Sequence, residues 1–149
     1  MASELPHANS FRELLAYRKS RKLAKEFFIL SKQFPKDEMY ALTDQIRRSS
    51  RSIGGQIAEA WAKRRYERHF VSKLTDADGE QLETQHWIGV AFDCEYWDRI
   101  AAEPLKSQCQ EIGRLLSGMI EKSATFCLQD YHSLRDPPAD YFVDDATDY

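Results

Sequence analysis

Four stretches of the chain repeat apolar residues at helical spacing. In the first, Leu23, Ala24, Phe27, Phe28, Ile29 and Leu30 follow a strongly basic segment carrying Arg12, Arg18, Lys19, Arg21, Lys22 and Lys25. Ser10 and Glu13 stand at capping-box spacing and Phe34-Pro35 provides a stop, which predicts a helix from about Ser10 to Gln33. Its apolar half is wider than the single stripe a surface helix needs. A second buried face, most simply a contact between subunits, accounts for the excess.

The second stretch has Leu42, Ile46, Ile53, Ile57 and Trp61, spaced by four, seven, four and four. This predicts a helix from about Asp37 to Arg64. Gly54-Gly55 in its interior costs up to about 1 kcal/mol per glycine relative to Ala, a cost that close approach of a neighbouring helix offsets. Tight packing is a far better reading than a phosphate loop, because no strand precedes the glycines and no Gly-Lys-Ser/Thr follows. The third helix runs from about Glu67 to Ile100, with Phe70, Leu74, Ala77, Ile88, Ala91 and Phe92 on its buried side. Between Thr75 and Gln85 only Ala77 and Leu82 are apolar. The fourth helix opens with Pro104 in its first turn. Leu105, Cys109, Ile112, Leu116, Met119 and Ile120 form its stripe, which ends near Phe126.

These elements predict an all-α, single-domain four-helix bundle over residues 1–130, with connections near 34–37, 65–67 and 101–104. Beyond it, residues 131–149 set Asp136, Asp140, Asp144, Asp145 and Asp148 against Arg135 alone, and Pro137-Pro138 breaks any helix. That composition predicts an extended or disordered acidic tail, with Tyr141 and Phe142 available to dock it on a neighbouring surface.

Composition narrows the picture. A length of 149 residues with 42% apolar content suits one domain around one core. No apolar run is long enough to span a bilayer and the N-terminus lacks signal-peptide regions, so no membrane association and a cytoplasmic location are expected. Cys94, Cys109 and Cys127 are odd in number and lack Cys-x-x-Cys spacing, which argues against a disulfide framework or structural zinc. The net charge of −3 conceals a polarity: residues 1–73 carry 16 Lys/Arg against 8 Asp/Glu, and residues 74–149 carry 5 against 16. Basic helices packed beside acidic ones explain this better than a nucleic-acid surface, given a pI of 5.8.

Candidate chemistry is sparse. Glu83-x-x-His86 has the spacing of a di-iron bundle ligand pair, but such a site needs a second copy and two more glutamates. Asp76-x-Asp78-Gly79-Glu80 lacks the order of a calcium loop. Ser49, Ser50 and Ser52 have no His or Lys partner nearby in sequence. No catalytic, metal or cofactor site is therefore expected, and the protein is read as a non-enzyme.

If the second and third helices form an antiparallel hairpin turning near Arg65-Tyr66, their polar middles coincide. Arg48 comes level with Glu83, Arg51 with Glu80, and Gly54-Gly55 with Asp76-Ala77. The expected interhelical polar layer comprises Arg48, Arg51, Glu59, Asp76, Glu80, Glu83 and Gln85. A second candidate is a nucleic-acid or partner-binding set of Arg47, Arg51, Lys63, Arg64, Arg65 and Arg68, with Trp61 and Tyr66 interleaved for stacking.

Several fragments in order carry a family resemblance: Phe34-Pro35-x-x-Glu38, Gln45-Ile46-Arg47-Arg48, Ser52-Ile53 with Ile57-Ala58-Glu59, and Glu83-Thr84-Gln85 leading to Ala91 and Tyr96. Over residues 11–126 the chain resembles the bacterial 23S ribosomal RNA intervening-sequence proteins. Many relatives read Asn-Ile-Ala-Glu-Gly where this chain has Gln56-Ile57-Ala58-Glu59-Ala60, and Gly-Ser where it has Gly79-Glu80. The resemblance implies an up-down-up-down four-helix bundle assembling as a homopentamer, in a family whose biochemical role is unsettled. The expected function is a non-catalytic oligomeric scaffold that contacts itself or partner proteins. The alternative is an RNA- or DNA-binding module acting through the basic surface of the first two helices.

Overall fold

The Ser10 side chain accepts a hydrogen bond from the Arg12 backbone N–H at 3.2 Å, but it caps a 3-10 turn, Phe11–Glu13, and the helix proper begins after it. In the computed structural model, residues 10–127 and 139–143 are described, and expectations for 1–9, 128–138 and 144–149 lie outside them. Helix α1 spans Leu15–Leu30, α2 Leu42–Ala62, α3 Glu67–Asp93 and α4 Arg99–Glu121, followed by a single turn, α5, Ser123–Phe126. Short 3-10 turns at Ser31–Gln33 and Lys36–Glu38 carry the chain from α1 to α2 around Phe34-Pro35. No strand occurs among the described residues.

Each helix packs on its sequence neighbour, and α1 closes the ring against α4. Cross-helix pairs run antiparallel: Arg48 with Glu83 and Glu59 with Lys73 across α2 and α3, Lys19 with Glu111 and Glu26 with Gln108 across α1 and α4. The predicted up-down-up-down four-helix bundle is thus the fold. Its core takes Leu23 and Phe27 from α1, Ile46, Ile53 and Ile57 from α2, Phe70, Leu74 and Ile88 from α3, and Leu105, Cys109, Ile112, Leu116 and Met119 from α4. Full burial of each such side chain contributes roughly 1.5–3 kcal/mol. Burial also raises the Cys109 thiol to about 12 and Cys127 to about 11, so both are packing groups rather than nucleophiles.

The third connection departs from the expectation at 101–104. The chain breaks at Cys94–Trp97, where Glu95 adopts a left-handed φ of 62°. Trp97 folds back so that its Nε1 donates to the Ile88 carbonyl at 3.1 Å and its ring meets Phe34 at 5.2 Å. Asp98 then starts α4 by accepting from the Ala101 N–H at 2.9 Å, which leaves Ile100 in α4 and Pro104 inside that helix. A good N-cap thus outcompetes the preference of proline for the first turn. Phe92, expected in the core, is 40% exposed.

At mid-height the core turns polar. Ser49 and Ser50 of α2, Gln81 and Thr84 of α3 and Ser20 of α1 are buried. The hydroxyls of Ser49 and Thr84 are hydrogen-bonded at 2.9 Å, and Gln81 is held between Asp78 and Gln85 at 2.9 and 2.7 Å. One end of the bundle is capped by Phe27, Phe34, Tyr96 and Trp97. There the Glu38 carboxylate accepts from the Leu42 N–H and from the Tyr96 hydroxyl, both at 3.0 Å. The opposite end is capped by Phe70, Phe126, Tyr141 and Phe142.

Candidate interaction surface

The positions of Arg47, Arg48 and Arg51 on α2 decide where the charges go. Arg47 and Arg51 are one turn apart and share a face, whereas Arg48 lies on the adjacent row. Arg48 turns towards α3, where its Nη2 lies 3.0 Å from both Glu83 oxygens, as the hairpin register predicts. Arg47 and Arg51 turn towards α1. Arg47 donates to Ser31 Oγ at 2.7 Å, and the two guanidiniums lie 5.0 and 5.6 Å from the Phe28 ring centre. Lys32 completes the ring of cations at 4.5 Å. The expected pairing of Arg51 with Glu80 is therefore replaced by an aromatic contact on the opposite side of α2. Each exposed cation–π contact of this kind contributes about 0.5–1 kcal/mol.

The glycine pair serves the same face. A Cβ on Gly54 would lie 3.1 Å from Ser20 Oγ and 3.4 Å from the Tyr17 ring, so its absence lets α1 approach closely. The α2–α3 pairs keep the register that sets Gly54-Gly55 level with Asp76-Ala77, but the close neighbour of Gly54 is α1. Gly55 meets open space and floors two grooves. The groove between α1 and α2 measures about 430 Å³ and is lined by Phe11, Tyr17, Arg21, Lys25, Phe28 and Arg51 among others, with no carboxylate among the described lining residues. Phe11 forms its end wall, edge-on to Tyr17 at 4.9 Å. A second, about 690 Å³, lies along the outer face of α2 beside Met39, Tyr40, Arg47 and Arg48.

The remaining cations of the expected binding set lie elsewhere. Lys63, Arg65 and Arg68 are exposed at the α2–α3 turn, about 24 Å along the helix from Arg47. Arg64 lies flat on Trp61, 3.5 Å from its ring centre, and donates Nε to the Trp61 carbonyl at 2.9 Å. Burial lowers its pKa. The six residues therefore form two separate patches.

The polar layer is also divided. Lys73 sits 2.7 Å from Glu59 and 3.8 Å from Asp76. That contact lowers the Glu59 pKa through the hydrogen bond and charge of Lys73, and raises the Lys73 pKa through the same hydrogen bond. Glu80 is held above the usual carboxyl range, first by burial and then by the neighbouring Glu83 carboxyl, with Arg48 opposing. The Arg48–Glu83 pair expected in a buried layer has side chains 49% and 35% exposed. The buried layer is instead uncharged, made by Ser20, Ser49, Ser50, Gln81 and Thr84, with half-buried Gln85 bonded to Gln81 at its edge. Among the described residues no group of three His, Cys, Asp or Glu is placed to hold a metal, and His86 packs edge-on to Trp87 at 4.6 Å.

Tyr17, Arg21, Lys25, Phe28 and Tyr40 are the surface residues that sequence reasoning did not single out as a site. Their signal was present in the width of the apolar half of α1 and the charge of its first half. What this arrangement offers chemically is flat apolar surface beside fixed positive charge, suited to holding an anionic, planar or apolar partner.

The fold and surface define a small all-α four-helix-bundle protein. The chain belongs to the 23S rRNA-intervening sequence protein family, whose model matches residues 12–118. It is similar to a crystal structure of a protein of unknown function from the S23 ribosomal protein family of Bacteroides thetaiotaomicron. The two share 30% identity and a TM-score of 0.65, and the likeness covers 72% of this chain and 99% of that one. Among the curated proteins, none matches the chain. No helix among the described residues is long and apolar enough to cross a membrane.

Proposed function

We propose that the protein is a non-catalytic oligomeric scaffold whose subunits meet through the α1–α2 end of the bundle. The observation that carries this reading is a concentration of exposed apolar side chains there. Ile29 is 52% and Tyr40 91% exposed, and Phe28, Leu30 and Met39 lie beside them. Aromatic and aliphatic anchors next to Arg47 have the composition of an interface core, and an apolar patch of this kind on a small bundle marks a contact surface. The family resemblance sets the expected number of subunits at five. Sedimentation equilibrium at micromolar concentration should give an oligomer, and Ile29→Asp with Tyr40→Asp should shift it towards monomer. A parent protein that sediments as a monomer would overturn the proposal.

A second reading, RNA or DNA binding, is favoured by one observation: Lys25 and Arg51 line a groove with no carboxylate among its described lining residues. Fluorescence anisotropy with single- and double-stranded oligonucleotides would then show binding that weakens steeply with salt. Salt-independent or absent binding ends this reading.

A further inference from the structure

Three cations gather around one exposed aromatic ring where α1 ends beside α2. Lys32 Nζ and the guanidinium carbons of Arg47 and Arg51 lie 4.5, 5.0 and 5.6 Å from the centre of the Phe28 ring. No two of them can be more than about 11 Å apart, close to the roughly 10 Å over which 0.1 M salt screens charge. Arg47 and Arg51 also stand four residues apart on α2, a like-charge spacing that destabilises a helix. None of the three is ion-paired to a carboxylate among the described residues. Asp44, one turn before Arg47, lines the outer groove of α2 but makes no ion pair there.

Internal features leave most of this charge unmatched. The Phe28 ring is neutral, and its quadrupole attracts cations only at contact range. The C-terminal end of α1 supplies the equivalent of about half a negative charge, against three positive ones. The arrangement is nevertheless a built one. Ser31, only 2% exposed, donates its hydroxyl to the Phe28 carbonyl at 3.2 Å and accepts from Arg47 Nε at 2.7 Å, which fixes the base of the Arg47 fork. The terminal nitrogens of Arg47 and the whole guanidinium of Arg51 have no acceptor among the described residues. Guanidinium forks one turn apart suit a tetrahedral oxyanion, which offers paired acceptor oxygens to each. We propose that Arg47, Arg51 and Lys32 form a binding site for a phosphate group, free or esterified. The inference goes beyond both readings above, since it needs neither a second subunit nor a nucleic acid. Arg51 lines both the α1–α2 groove and the groove on the outer face of α2, so the rest of a phosphate ester has room on either side.

Proton–nitrogen NMR of the arginine Nε–H groups tests this on the full chain, with inorganic phosphate as the first probe. The Arg47 and Arg51 signals should shift to a plateau as phosphate is added, and sodium chloride of equal ionic strength should not reproduce the shift. Arg51→Gln should weaken binding about tenfold, the worth of one charge-assisted contact. Ser31→Ala keeps every charge and should still weaken it severalfold, because Arg47 is released. Lys32→Gln, a surface change that spares the buried hydroxyl, should weaken it as well. Arg65→Gln, at the distant α2–α3 turn, removes one charge and should leave the affinity unchanged. Adenosine monophosphate and a short single-stranded oligonucleotide then identify the source. Tighter binding of either at the same signals assigns a monoester or a diester backbone, and binding no tighter than phosphate assigns the free ion. Signals that reach no plateau, shifts that sodium chloride reproduces, or an equal loss in Arg65→Gln would overturn the proposal.

Discussion

Replacing Thr84 with Val tests whether the hydroxyl layer at mid-bundle is a working part of the core. The substitution keeps the shape of the side chain and removes one oxygen. Both Thr84 and Ser49 are fully buried, and their hydroxyls meet at 2.9 Å. Thr84 also reaches the Glu80 carbonyl at 2.8 Å, whereas Ser49 has only a long 3.4 Å contact with the Ile46 carbonyl in reserve. Thr84→Val therefore leaves the buried Ser49 hydroxyl with only that long contact, at a cost of about 1–3 kcal/mol. For a chain of this length each kcal/mol moves the melting temperature by roughly 2–4 °C, so a loss of roughly 2–12 °C is expected. Adding Ser49→Ala removes the stranded group and places the best helix former in α2, so the double variant should regain most of the loss. The coupling energy from the four-protein cycle should be about 1–2 kcal/mol. Urea denaturation followed by far-UV circular dichroism, at one fixed protein concentration so that assembly contributes equally, measures all four. A Thr84→Val protein as stable as the parent, or a cycle that closes with no coupling, would refute the reasoning.

Three further outcomes are expected. Glu38→Ala should cost about 1 kcal/mol by uncapping the Leu42 N–H, and should lower the Tyr96 phenol pKa, which burial and then Glu38 hold above 10.0; denaturation and spectrophotometric titration read the two effects. Glu80→Gln should stabilise at pH 7. A carboxyl whose folded pKa is raised opposes folding above that pKa, and the opposition fades as pH falls through it, so the benefit should vanish below the ordinary value of 4.5 in melts across pH. Reversing Glu83 to Arg should cost only about 0–1 kcal/mol, because the Arg48–Glu83 pair is well exposed, and a loss above about 3 kcal/mol by denaturation would show it to be buried after all.

Helix periodicity made the bundle legible, because the stripe Leu42, Ile46, Ile53, Ile57 is both the sequence signal and the object buried. Simple counting from the α2–α3 turn also placed Arg48 against Glu83. Counting failed one row away, at Arg51, because level position does not fix direction around the helix. The α3–α4 break was hidden for a different reason. It contains no Gly or Pro, and the turn is held by Trp97 reaching back to Phe34 and Ile88, contacts remote in sequence. Phe34-Pro35-x-x-Glu38 and Tyr96 were legible as family fragments without a role, and the structure supplies it: both motifs converge on the Glu38 carboxylate. The α1–α2 groove was legible only as an excess of apolar and basic residues in α1; its shape was not, since it depends on how closely Tyr17 and Ser20 approach Gly54.

The pairing of Leu14 with Phe142 brings the first and last described segments of the chain together at one pole of the bundle. A short linker could join the two ends there, and the exposed turn around Glu95, at the far pole, offers a natural place to open the ring. The four helices would keep every neighbour while their order along the chain changed. By the same geometry, the bundle fits within a loop of a larger protein, hanging from two adjacent strands of backbone like a bead on a doubled thread.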